Sequence, residues 1–369
     1  MKNKKKILFL SPLPPPHYGS ALSSKMCLEI LRESRNISVK NIKLNYSKSM
    51  RDVGKINLSK IEGISKVKKQ IKKQIKDFKP DMVYFVPATS SLGLIRDWLL
   101  SREIKKTHKK EILFHIRSRI LDKTWNNILG KLILKEMYKD SKAIILGKEL
   151  IRDLRRIIPE KDISILPNAI KNEISESKLK KIINKRKQNK HLNILFLSNM
   201  DSTKGWPKLL DACKILNEIN FNFKCDFVGE WANNSDKQYF LNFIKKNNLT
   251  KKVFSHGKKI GSEKNKFLEN ANVLVFPTDY PLETFGRVIL ESYMYEVPVI
   301  ANGIATIPTI IKDKETGFIL EKNNGEEIAK IIIKEKKWEK MGIEGRKRFL
   351  SNYELKKYKT NFLKIIIGH

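Results

Sequence analysis

Acidic residues are scarce in this 369-residue chain: 39 Asp and Glu stand against 75 Lys and Arg, a formal net charge of +36. Such an excess attracts polyanions, anionic lipid or phosphorylated small molecules, and it bears on partners and solubility rather than on fold. The chain is also rich in Lys, Asn and Ile together, a pattern that genomic base composition produces as readily as a binding surface does. Cysteine is equally sparse. Cys27, Cys213 and Cys225 lie far apart with no C-x-x-C, which excludes a zinc-ribbon spacing and points to a reducing cytoplasm. No apolar run reaches about 18 residues, so no transmembrane helix is expected. The basic start Met1-Lys-Asn-Lys-Lys-Lys mimics the head of a signal peptide. Its apolar run, Ile7 to Leu10, ends at Ser11-Pro12, too short for a leader, and reads as a first buried strand. Also missing are G-x-x-x-x-G-K-[ST], G-x-G-x-x-G, H-E-x-x-H and D-x-D. The six histidines are scattered without metal-ligand spacing. No metal site and no cofactor are expected.

What is present is enough apolar residue, 41% of the chain, to fill the cores of two domains of about 150–200 residues each. Ile7 to Leu10 is followed by the loop Ser11 to Ser20, with Gly19, and a helix from about Ala21 to Arg32. A strand feeding a glycine-bearing loop and then a helix is the phosphate-facing arrangement of doubly wound α/β folds. A proline-stiffened turn without a ligand would read the same way. Strands are predicted at Val39–Leu44, Met82–Val86, Glu111–Arg117 and Ala143–Leu146, and a strand pattern at Ile163-Ser-Ile-Leu. Between the second and third, Ile61, Ile64, Val67, Ile71, Ile75 and Phe78 recur at steps of three and four among lysines. That predicts a basic amphipathic helix, either packed on a sheet with a solvated cationic face or meeting anionic lipid. His115 falls at the carboxyl end of its strand, which faces the ligand crevice of an open α/β sheet; a lone histidine is more commonly structural. Arg117 and Arg119 beside it are candidate contacts to an acceptor phosphate.

Residues 173–191 are polar and lysine-rich and read as a linker, after which the strand–loop–helix pattern restarts. His191 to Ser198 is a strand, and the loop after it carries Asn199, Lys204 and Gly205 before a helix at Pro207–Asn217. Strands follow at Phe223–Val228, Val253–Gly257 and Asn272–Phe276, with helices at 237–246 and 263–270. His256 reads as structural. Next come Asp279-Tyr-Pro-Leu-Glu-Thr-Phe-Gly-Arg-Val-Ile-Leu-Glu291, with apolar positions at helical spacing from about Thr284, and a strand at Val297–Ala301. Eight residues of helix rise about 12 Å, the reach from a nucleotide ribose across a diphosphate to a sugar. Gly286 lets a ligand approach the backbone, and the N–H groups of Phe285, Gly286 and Arg287 at a helix start favour an anion. Glu283 and Glu291 can accept hydrogen bonds from sugar hydroxyls. An ordinary amphipathic helix with two solvated acids accounts for this spacing equally well. Helices are predicted over 326–333, 335–350 and 353–367.

Glu283-Thr-Phe-Gly-Arg-Val-Ile-Leu-Glu291, with Val297-Pro-Val-Ile-Ala301 and Thr316-Gly-Phe318, closely resembles the E-x7-E region of retaining GT-B glycosyltransferases of the glycogen-synthase-like group 1, or family 4. Lys204-Gly205 resembles the family's Lys-Gly pair, and Ile163-Ser-Ile-Leu-Pro-Asn-Ala169 its closing segment, with Ala169 for Gly. The sequence has Ser198-Asn199 where many members carry Gly and Arg, and one glycine before Ser20 where members often have two.

The resemblance implies two Rossmann-like doubly wound domains facing a central cleft: 1–172 on the acceptor side and 192–351 binding the nucleotide sugar. The last helix, within 352–369, would cross back to the first domain. It implies Glu283 on the donor sugar, Glu291 on the ribose, and Gly19, Asn199, Lys204, Phe285, Gly286 and Arg287 around the diphosphate. His115 would sit at the reacting end of the sugar. It also implies retaining, metal-independent transfer to a glycan or lipid-linked acceptor in surface polysaccharide or lipopolysaccharide assembly, in the cytoplasm or on the inner face of the membrane. Two other readings stay open: a non-catalytic GT-B subunit of a partner transferase, and a nucleic-acid-binding protein suggested by the charge, although no nucleic-acid module is recognisable.

Overall fold

The computed structural model describes residues 4–15, 19–44, 58–88, 91–120 and 122–368, without the side chains of 58–62, 91, 92, 122 and 123. Pro16-His17-Tyr18 of the first loop lie outside the described residues. Two compact units emerge: Met1–Asn168 with Tyr358–His369, and Ala169–Lys357.

The first unit holds a six-stranded sheet of β1 (Lys5–Ser11), β2 (Ile37–Lys43), β3 (Met82–Phe85), β4 (Glu111–His115), β5 (Lys142–Ile145) and β6 (Ile163–Ile165). Its strand order is β2-β1-β3-β4-β5-β6 and every pairing is parallel. Parallel strands are covered on both faces and therefore read as unbroken apolar runs. Ile7 to Leu10 and Met82 to Phe85 are fully buried. The lysine-rich helix Leu58–Phe78 packs Val67, Ile71, Ile75 and Phe78 inward and leaves Lys66, Lys69, Lys72, Lys73 and Lys76 exposed. From Val67 onward its apolar face is thus spent on the protein interior, while the Ile61 side chain lies outside the described residues. The last helix, Leu355–Ile367, buries Tyr358, Phe362 and Ile366. Phe362 meets Tyr84 of β3 edge-on at 5.8 Å, and Tyr358 Oη lies 3.1 Å from Cys27 Sγ.

The second unit repeats the plan with β7 (Leu192–Leu197), β8 (Phe223–Val228), β9 (Val253–Ser255), β10 (Val273–Phe276), β11 (Val299–Asn302) and β12 (Gly317–Leu320), in the order β12-β11-β10-β7-β8-β9. These pairings too are parallel. Strand order reverses between β7 and β10, which makes the loops leaving their carboxyl ends the topological switch point, the place where open α/β sheets bind ligands. Trp206, Phe227 and Phe240 anchor the core below.

Residues 173–191 hold the helix Glu176–Lys187, capped by Ser175, with Leu179 and Arg186 buried. The guanidinium of Arg186 donates to four backbone carbonyls, Leu268, Glu269, Tyr295 and Glu296, at 3.0–3.3 Å. Those carbonyls close two other helices, Gly261–Asn270 and Arg287–Met294. Positive charge is favourable at both ends.

Candidate active site

At the switch point of the second sheet the loops after β7 and β10 are stitched together. Asp279 N donates to Thr203 O at 2.8 Å. Gly205 adopts φ +86°, and a Cβ there would lie 2.1 Å from Pro277 O, so only glycine lets these loops pass so closely. Asp201 caps the turn Ser202–Lys204 by accepting from Thr203 N at 2.9 Å. This turn aims Lys204 across to the other loop, where its Nζ sits 3.0 Å from Glu283 Oε2 and 3.8 Å from the centroid of the Tyr280 ring. Both partners are largely screened from water, with side-chain exposures of 16% and 15%.

Glu283 precedes the helix rather than opening it. The helix runs Arg287–Met294, three residues later than the spacing predicts from Thr284. The reason is local. Glu283 Oε1 accepts from Thr284 N and Gly286 N, both at 3.2 Å, and Gly286 takes φ +65° in the left-handed region. That conformation ends the loop and starts the helix at Arg287. A rise of eight helical residues therefore does not measure the gap between the two acids. Phe285 is buried and packs edge-on to Tyr353 at 6.0 Å, leaving its backbone rather than its ring for the site. Arg287 stands half-buried in the first turn. Glu291, one turn further on, pairs with Lys264 at 2.8 Å. Lys264, on the helix Gly261–Asn270, is a site neighbour that sequence spacing misses, since only the fold brings it to Glu291.

Lys204, Glu283, Phe285, Gly286, Arg287 and Glu291 thus all belong to the two switch-point loops and the helix that leaves them. Asn199 also lies in the loop after β7, exposed, between Ser198 and Met200, whose N–H groups bond to Val228 O and Glu230 O. His256 stays outside this group: its Nε2 lies 2.7 Å from Asp226 Oδ1, and its ring packs against Phe267.

The other predicted residues sit in the first unit. His115 ends β4 and is fully buried. Its Nδ1 meets the Tyr84 hydroxyl, and Arg117 Nη2 approaches the same nitrogen at 3.4 Å. Burial and the Arg117 charge hold the imidazole well below its ordinary pKa, so the ring is neutral. With two donors at Nδ1, the proton sits on Nε2, a buried atom with no hydrogen-bond partner. Arg117 lies just past the strand end, not within it, and is buried. It donates to Ser20 O at 3.1 Å and to Cys27 Sγ at 3.2 Å. Through Ser20 it latches the start of the helix Gly19–Glu33, where Gly19 is exposed, to the sheet end. Arg119 pairs with Asp153 at 3.6 Å. Among the described residues no three His, Cys, Asp or Glu side chains gather as a metal site requires, and no helix is long and apolar enough to cross a membrane.

Residues 176–352 match the family described as glycosyl transferases group 1. An uncharacterised 41.2 kDa protein of the cps region of Klebsiella pneumoniae is 26% identical over 279 residues, 74% of each chain. The capsular polysaccharide biosynthesis glycosyltransferase CapM of Staphylococcus aureus is 30% identical over 224 residues, 56% of this chain and 57% of CapM. Among solved structures, HepE of Anabaena in complex with UDP and glucose superposes with a TM-score of 0.71 at 14% identity, over 99% of this chain and 100% of HepE. The architecture of two parallel six-stranded sheets with flanking helices is the GT-B fold.

Proposed function

We propose that this chain, an enzyme carrying a glycosyltransferase group 1 domain, moves a sugar from a nucleotide-diphosphate donor to a glycan or lipid-linked acceptor, with retention of configuration and without a metal. Assembly of a surface polysaccharide is the process we assign to it; CapM is named for capsular polysaccharide biosynthesis. The observation that carries the reading is the Lys204–Glu283 pair held at the switch point of the second sheet. A cation and a carboxylate poised together there match a ligand that is anionic at one end and hydroxylated at the other.

Each group then has a task. As the donor's glycosidic C–O bond breaks, negative charge grows on the departing phosphate oxygen. Lys204, Arg287 and the N-terminus of the helix Arg287–Met294 offset it. Lys204 shifts from Glu283 toward the diphosphate, and the freed Oε2 accepts hydrogen bonds from the sugar hydroxyls. Glu283 Oε1 stays tied to Thr284 N and Gly286 N, so the carboxylate is oriented before substrate arrives. Glu291, held by Lys264, receives the ribose hydroxyls, while Gly19 and Asn199 lend backbone and amide donors to the phosphates. In the first unit His115 offers its Nε2–H to a sugar oxygen, with Tyr84 and Arg117 fixing the tautomer. Arg119 meets the acceptor's phosphate. The acceptor hydroxyl attacks on the face the phosphate leaves, and its proton passes to the leaving oxygen, so no protein nucleophile is required.

The test is thermal stabilisation by a panel of UDP-, GDP-, ADP- and dTDP-sugars, followed by turnover with the stabilising donor. Glu283→Ala should fold as the parent does and lose at least about 100-fold in rate. Full activity in that variant removes Glu283 from the site.

A further inference from the structure

The helix Ile128–Tyr138 turns an apolar stripe to solvent. Ile128, Leu129 and Leu132 are 79%, 61% and 60% exposed, three of the four most exposed large hydrophobic residues among those described. The packing of this helix is done by its other face, where Ile133, Leu134, Met137 and Tyr138 are buried. The stripe is therefore surplus to the fold, and contiguous exposed apolar surface marks an interaction site.

The surroundings of the stripe say what it meets. Asn127 caps the helix by accepting from Gly130 N at 2.9 Å. A Cβ on Gly130 would lie 2.3 Å from Thr124 O, so the preceding turn is pressed against the helix start. That turn carries Trp125, with Lys131 Nζ 5.5 Å and the Arg156 guanidinium 5.6 Å from its ring. Three protruding aliphatic side chains beside an indole and two cations are the layout of a membrane-interface element: apolar groups enter the acyl region while tryptophan and basic groups stay at phosphate level. The aliphatics protrude from one face of the helix, which suits a fluid partner with no shape of its own. The net charge of +36 complements anionic lipid. By contrast the lysine-rich helix Leu58–Phe78 buries its apolar residues from Val67 onward and offers charge alone. Position agrees as well. The helix Ile128–Tyr138 leaves the carboxyl end of β4 and runs back to the start of β5, so the stripe in its first two turns lies at the His115 end of the sheet.

We infer that this face docks the first unit on an anionic lipid bilayer, with its sheet end, and hence the acceptor side, held at the lipid headgroups. The inference rests on the reading of the acceptor as lipid-linked. Purified full chain is floated with vesicles of phosphatidylcholine mixed with phosphatidylglycerol, and with phosphatidylcholine alone. The parent should float with the anionic vesicles. Ile128→Ser, Leu129→Ser and Leu132→Ser combined should cut partitioning about tenfold or more, with circular dichroism and melting unchanged. Should that variant melt early, Lys131→Glu with Arg156→Glu carries the test and should weaken binding to the anionic vesicles alone. Absence of parent flotation, or flotation of the variants equal to the parent's, overturns the inference. So does a parent dimer in sedimentation that the triple variant dissolves, because the stripe is then covered by a second copy. Donor-induced thermal stabilisation is read in parallel without lipid. It should survive in every variant, and its absence in the parent indicts the transferase reading rather than the docking face.

Discussion

At Gly205 the backbones of the two site loops come close. With φ +86° and a would-be Cβ 2.1 Å from Pro277 O, an alanine there must push the loop after β7 off the loop after β10. The obstacle is backbone at the end of a buried strand, so it yields little. Gly205→Ala should cost roughly 2–4 kcal/mol in denaturant unfolding, and donor-induced stabilisation should vanish because Lys204, the preceding residue, moves with it. Gly286→Ala keeps the strain of φ +65° but is sterically milder: its Cβ would meet the Phe276 and Ile289 side chains at 3.0 and 3.1 Å rather than backbone. His115 makes a second residue-scale case. Burial holds its pKa below the ordinary 6.5. Above about 6.5 the ring is neutral in both folded and unfolded chains, and nothing is lost. Below that value the unfolded chain takes up a proton the native ring refuses, so stability falls as pH falls, by up to about 1.4 kcal/mol per unit. His115→Gln should flatten that slope when unfolding free energies at pH 7.5, 6.5 and 5.5 are compared with the parent's. Carboxylates and His108, also depressed by burial, contribute equally to both proteins and cancel. An identical slope in the variant means the buried ring is not held neutral.

The element that matters most is the helix Arg287–Met294, and it is gripped at its far end. Arg186 donates to Tyr295 O and Glu296 O, and Arg346 donates to Met294 O at 2.6 Å. Burial lowers the Arg186 pKa to about 10, still charged at neutral pH. Arg186→Met would fill much of the volume but strand four carbonyls, so a loss of about 3 kcal/mol is expected in chemical unfolding. Donor affinity should fall as well if the opposite end of the helix faces the phosphates as proposed; a stability loss with unchanged donor binding would confine Arg186 to scaffolding. None of this was legible in the sequence. The helix Glu176–Lys187 buries only Leu179 and Arg186, too narrow a stripe to show a 3.6-residue period against so many lysines. Strands were easier, because burial on both faces makes them continuous apolar runs: Phe223–Val228 matches its predicted bounds, and most others shift by one or two residues. The start of Arg287–Met294 was misplaced because Phe285 carries an apolar signal at helical spacing while packing from the loop onto Tyr353. The acids and Lys204 could be singled out from motif spacing, but that Lys204 pairs with Glu283, and Lys264 with Glu291, is a consequence of the strand order.

At the scale of the whole molecule, charge decides. With 75 bases and 39 acids, pairing every acid one-to-one still leaves 36 bases without an acid. Salt has two opposed effects on such a surface. It weakens exposed pairs such as Lys258–Glu230 and Lys25–Glu29, each of which contributes about 0–1 kcal/mol. It also screens the mutual repulsion of the surplus cations over distances beyond about 10 Å at 0.1 M. The surplus is nearly as large as the whole complement of acids, and the repulsion is summed over many pairs, so relief of repulsion should win. The melting temperature should therefore rise as NaCl is raised from about 0.05 to about 0.5 M, with the Debye length shrinking severalfold. A falling melting temperature over that range would mean that ion pairing, not net charge, governs this surface, and the electrostatic share of any attraction to anionic lipid would have to be smaller than the composition suggests. The same titration separates the partners. Binding to RNA through surplus lysines alone should disappear steeply with salt, whereas vesicle binding that includes insertion of Ile128, Leu129 and Leu132 should retain an apolar component at high salt.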